Sequence, residues 1–165
     1  MNRRRLAFGA TSVALWIAMI HLGALLFETV VMYPNIFHDV PASLELSVEF
    51  MAAVGPHDFF APVGALSIVA SSCAIAASWR FKRIRNWLLV GLVVAILGEF
   101  VLSATVFWPR NTIMFSEGLA VHSAETLKTT AKTFQRLHWL RVGATVVNAA
   151  AVFRATVTLA QKRPS

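Results

Sequence analysis

The sequence predicts an all-α integral membrane protein, four helices in an up-down bundle with a short amphipathic helix on the outer surface between spans 1 and 2. Three observations predict this class. Hydrophobic residues make up 57% of the chain and charged residues only 14%, with a mean hydropathy of +0.64, far from the balance of a soluble globular domain. Four apolar runs are each long enough for the ~20 residues that a membrane helix needs. The net charge of +7 comes from basic residues gathered at the ends of those runs, where they orient a membrane protein rather than bind nucleic acid. Four spans use up the chain, so residues 1–165 are read as a single membrane domain.

The first span covers about 7–33. It follows Arg3-Arg4-Arg5 and looks like the basic and apolar regions of a signal peptide, but the run is too long and lacks a small-residue cleavage site, so it is read as retained. Tyr33-Pro34-Asn35 is expected to end it, because the residue before proline disfavours the helical region. Pro41 then starts a short amphipathic helix from Ala42 to Val54, with Leu44, Val48 and Met51 on its apolar side. The second span, about 57–79, is rich in small residues such as Gly64, Ser67, Ser71 and Ala74, which let membrane helices approach closely. A basic turn, Arg80 to Arg85, leads into the third span, about 86–108, interrupted only by Glu99 and closed by Trp108-Pro109-Arg110-Asn111. After a polar connection, Ser123 is the expected N-cap of the last helix and Glu125 suits its first turn. That helix enters the membrane near Phe134, giving a fourth span of about 134–160.

Arg3, Arg4, Arg5, Arg80, Lys82, Arg83, Arg85, Lys162 and Arg163 fall on one side, against Arg110, Lys128, Lys132 and Arg136 on the other. The positive-inside tendency therefore puts both termini in the cytoplasm. The single cysteine, Cys73, excludes an internal disulfide and a multi-cysteine zinc site. No phosphate-binding glycine loop, Gly-x-Ser-x-Gly elbow or Cys-x-x-Cys occurs.

Charged and amide side chains inside the spans are the candidate functional residues, since a charge at a helix centre costs about 2.5–3.5 kcal/mol on insertion scales. Counting about 1.5 Å per residue from the outer ends puts His138 ~6 Å, Glu28 ~9 Å, Arg141 ~11 Å and Glu99 ~15 Å deep. These four are expected to converge in the outer leaflet, with Arg141 in ion-pair or hydrogen-bond reach of Glu28 or Glu99. His21 at ~18 Å and Asn148 at ~21 Å form a deeper polar contact, and Asp58 and Asn111 lie at the rim. The plainer account is that the same residues only fix helix register and hold helices together. A metal set would be Glu28, Glu99, His138 and His21, suited to non-haem iron, although the Glu-x-x-His pair of di-iron bundles is absent. Haem held by both His21 and His138 fits poorly at a depth difference of ~12 Å, which leaves single-histidine ligation open. No cofactor is favoured.

The pattern Trp108-Pro109-x-Asn111, followed by Phe134-x-Arg136-Leu137-His138-Trp139-Leu140-Arg141, resembles the anthrone oxygenase-like family of small four-helix membrane proteins, and Glu28 fits it as well. The resemblance implies oxygenation of an aromatic substrate without an evident metal or flavin, with Asn111, His138 and Arg141 carried over by motif. The chemistry expected is then an outer-leaflet pocket for a small hydrophobic aromatic or phenolic substrate. His138 is the general base, Arg141 and Asn111 stabilise the enolate, and Glu28 orients or neutralises the cation. The other functional readings are a non-catalytic partner in a larger membrane complex, a metal- or haem-binding redox protein, and a proton relay through Glu28, Glu99 and His21. Homo-oligomerisation is left open.

Overall fold

The computed structural model describes residues 2–161; Lys162 and Arg163, counted above for topology, lie outside the described residues. The chain is 89% helix, with no strand among the described residues. Five helices follow one another: α1 Arg3–Ile36, α2 Ala42–Phe50, α3 Pro56–Ala77, α4 Lys82–Val121 and α5 Ala124–Gln161. All but α2 are long and apolar enough to cross a membrane.

Two proline-containing stretches predicted to end spans are helical instead. In α1 the chain widens into a π turn over Glu28–Met32, where the Tyr33 N–H reaches back five residues to the Glu28 carbonyl. Pro34 lacks an N–H, and its ring would crowd a regular helix. After the wide turn it is accommodated, and α1 continues to Ile36. In α4, π turns at Ile96–Val101, Ser103–Phe107 and Thr112–Glu117 flank Pro109 in the same way. Much of the stretch after Trp108, read above as a polar connection, is therefore the end of α4. Each wide turn re-aims the side chains in it, and Glu28, Thr29, Glu99, Ser103 and Phe107 are all buried.

The other boundaries follow local chemistry. Ser123 is the N-cap of α5, its hydroxyl accepting the Thr126 N–H at 3.2 Å. The Asp58 carboxylate accepts the Gly55 N–H at 2.8 Å and so caps α3. α2 is shorter than predicted, ending at Phe50. Its Ser43, Leu44 and Ser47 turn inward, while Leu46 and Phe50 are exposed.

α5 is the organising helix. Half of its most apolar window is buried, against 17–28% in the other three long helices, and it packs on both α1 and α4, whereas α3 packs mainly on α1. At one end of the molecule Ala7, Ala14, Ala74, Ile75, Ile84, Leu88, Val152, Ala155 and Leu159 form a closed apolar cluster. There Arg4 Nε donates to the Leu159 carbonyl at 3.2 Å. At the other end a second cluster gathers Tyr33, Ile36, Leu44, Phe107, Met114, Leu127 and Phe134. Ser67, Ser71 and Ala74 of the second span are buried, and among the glycines the tightest approaches are on α4. A Cβ on Gly98 would lie 2.3 Å from Ala144 Cβ, and one on Gly91 would lie 2.9 Å from Asn148 Oδ1, whereas one on Gly64 would meet nothing within 4 Å.

Candidate functional site

His138 is fully buried, and three aromatic rings enclose it. Phe134 lies one turn back on α5 and stacks on the imidazole at 6.0 Å, while Tyr33 and Phe107 meet it edge-on at 4.8 and 5.6 Å. Its Nδ1 is 2.9 Å from the Thr29 hydroxyl, which itself donates to the Leu25 carbonyl at 2.6 Å. With its proton committed there, Thr29 accepts from Nδ1–H, and this assigns the tautomer whose lone pair is on Nε2. That lone pair accepts from Arg141 Nη1 at 3.4 Å, with Glu28 Oε2 at 3.6 Å.

Arg141 does not form the predicted ion pair: no carboxylate lies within 4.0 Å of it among the described residues. The imidazole stands beside both Arg141 and Glu28, and the guanidinium lies over the Phe107 ring at 5.0 Å instead. Glu28 is buried in the π turn of α1, with the Tyr33 phenol facing its carboxylate. Gln135 steadies this turn by donating to the Tyr33 carbonyl at 3.2 Å.

A cavity of about 510 Å3 opens beside these residues, between the second apolar cluster and the α2–α3 connection. Glu28, Tyr33, Phe134, Trp108, Phe115 and Asn111 line it, with Met51, Gly55 and His57 on the opposite wall. Glu28 Oε2 and Asn111 Oδ1 are buried without a hydrogen-bond partner. Apolar walls with a few convergent polar groups are the usual make-up of a small-molecule site. His138 is not part of the lining. The residue predicted to touch the reacting molecule sits behind Glu28, which faces the cavity.

The predicted convergence of four residues is thus only partly realised. Glu28, His138 and Arg141 come together, but Glu99 faces His21, whose Nδ1 lies 3.1 Å from Glu99 Oε2. The π turns of α4 rotate Glu99 toward α1, which a count of depth alone does not register. The alternative metal set accordingly splits into two His–Glu pairs, and no three His, Cys, Asp or Glu residues gather as a ligand group among the described residues. His21 packs on the Phe60 ring at 5.9 Å, and the predicted deeper contact of His21 with Asn148 gives way to this arrangement. Asn148 is fully buried against Gly91. Asp58 is exposed, 3.2 Å from His57 Nε2 at the cavity mouth. Thr29, Tyr33, Phe107, Gln135 and His57 are not among the site residues expected from sequence, although Phe134 and His138 at an i, i+4 spacing are a visible signal.

No family model matches the chain, and no solved structure matches it. Among curated proteins, 47 residues are 43% identical to the red-sensitive opsin of Gallus gallus, 27% of this chain and 13% of that protein. The chain thus spans a small part of the opsin's length and is similar, over that short stretch, to a membrane protein.

Proposed function

We propose that the chain is a multi-pass membrane enzyme, an up-down bundle of α1, α3, α4 and α5 with both termini cytoplasmic. In this reading it oxygenates a small hydrophobic aromatic or phenolic substrate in the outer-leaflet cavity, in keeping with the resemblance to the anthrone oxygenase-like family. The single observation that carries the reading is a carboxylate and an amide, Glu28 and Asn111, lining an aromatic-walled cavity, each with a buried oxygen that lacks a hydrogen-bond partner, while His138 Nε2 lies 3.6 Å from Glu28 Oε2.

Glu28 takes a proton from an acidic C–H or phenol of the substrate and passes it to His138 Nε2. The Asn111 amide N–H and the positive charge of Arg141 stabilise the enolate that forms. Dioxygen adds to the electron-rich carbon, and the same proton returns to give a hydroperoxide. Loss of water, which takes the second hydrogen of the oxygenated CH2 carbon, leaves a carbonyl, so one oxygen atom is retained and the other leaves as water. Tyr33, Phe107 and Phe134 keep the imidazole dry, which strengthens each of these electrostatic contacts.

The test is oxygen uptake by the purified protein in detergent or lipid with a panel of hydrophobic phenols and aromatic ketones bearing an acidic C–H. The expected result is substrate-dependent uptake with one atom of labelled dioxygen in the product. A folded protein that binds such compounds and consumes no oxygen would instead be the non-catalytic partner of a larger membrane assembly.

A further inference from the structure

The second buried pair, His21 with Glu99, has no part in the chemistry above. It lies on the same stripe of α1 as Glu28, seven residues and about 10 Å along the helix. The charges in this region among the described residues are two buried carboxylates, Glu28 and Glu99, and the half-buried guanidinium of Arg141. The remaining titratable groups there are His21, His138 and Tyr33; α3 contributes the Phe60 ring against His21, and its Asp58 is exposed at the rim.

With both histidines neutral this set carries one negative charge too many. An uncompensated charge is costly inside a membrane protein, so one additional proton neutralises the set. In the resting protein this proton does not sit on His138, whose Nε2 has Arg141 Nη1 3.4 Å away; His138 takes the substrate's proton from Glu28 only in passing, during turnover. His21 and Glu99 have no other cation within 4.0 Å among the described residues, and their facing atoms are 3.1 Å apart. His21 Nδ1 and Glu99 Oε1 are both buried without a hydrogen-bond partner, which marks the two side chains as groups that the helices themselves do not satisfy.

We propose that His21 and Glu99 form a second, proton-storing site that holds one proton between them, coupled by charge to Glu28. The step balances simply: when Glu28 gains a proton the set gains one positive charge, and the His21–Glu99 pair releases its own. This inference goes beyond the oxygenation reading and does not require it.

The test is nuclear magnetic resonance of the full chain in lipid bilayers at neutral pH, with 15N-labelled histidine rings and 13C-labelled glutamate carboxyls. Signals are assigned from the spectra of His21→Gln and Glu99→Gln. Wild-type protein is expected to show an imidazolium at His21 or a carboxylic acid at Glu99, and a singly protonated His138. Glu28→Gln removes one negative charge, so it is expected to convert the pair to neutral His21 facing an ionised Glu99. A neutral His21 with an ionised Glu99 in the wild type overturns the proposal, as does a pair unchanged by Glu28→Gln or an extra proton found on His138. The wild-type spectrum alone decides if Glu28→Gln fails to fold, and the readout needs no turnover, so it is independent of whether the protein oxygenates anything.

Discussion

Replacing His138 with glutamine is expected to leave the helices folded and to lower turnover of a phenolic substrate by about 10²–10⁴-fold, the usual worth of general acid–base catalysis. Glutamine keeps an amide that can hydrogen-bond to Thr29 but has no lone pair basic enough to relieve Glu28 of its proton. The stability change should be modest, about 1–2 kcal/mol, because one buried hydrogen bond and a stacked ring are altered while Phe107, Phe134 and Tyr33 still fill the space. If the residue only holds helices together, the outcome reverses: stability falls and the turnover of whatever remains folded is unchanged. Thermal unfolding and oxygen uptake on one preparation separate the two.

Arg141→Met is expected to produce the largest loss of stability, about 1–3 kcal/mol, the cost of leaving a buried polar partner unsatisfied. The figure stays below that of a broken buried ion pair, because Arg141 is half-buried and stands beside Glu28 with the imidazole against both. Methionine retains the packing over Phe107, so the loss reports charge rather than volume. Arg141→Met combined with Glu28→Gln should recover part of that stability, since no carboxylate is then left facing the emptied position. Additive losses in the double variant, measured by thermal or denaturant unfolding, would mean that Arg141 and Glu28 are electrostatically independent.

Much of the fold was legible because membrane helices announce themselves through composition and length. The four long helices, the Ser123 cap and the Pro41 start all follow from local residue chemistry. What hydropathy could not supply was helix rotation. Pro34 and Pro109 read as stops, yet both sit after wide turns that let the helix continue, and those turns have no periodic signature. Depth along one axis offers Arg141 either Glu28 or Glu99, whereas the partner of Glu99, His21, is set by the direction in which α4 turns it. His138 and Arg141 were found because an ionisable residue in an apolar run is conspicuous. Tyr33, Phe107 and Phe134, which shape the surroundings of His138, were not, because an aromatic residue in such a run looks like ordinary packing. His57 was missed for a further reason: it is exposed, and it reaches the cavity only through the bend at Gly55-Pro56.

The central claim is that Glu28, at the cavity wall, is the group that takes the substrate's proton. Oxygen uptake by Glu28→Gln, beside wild type and on protein shown to be folded by its unfolding transition, tests it most directly. The account predicts that uptake falls by about 10²–10⁴-fold, because glutamine keeps the shape of the cavity wall without its base. Folded Glu28→Gln that consumes oxygen at the wild-type rate would contradict it.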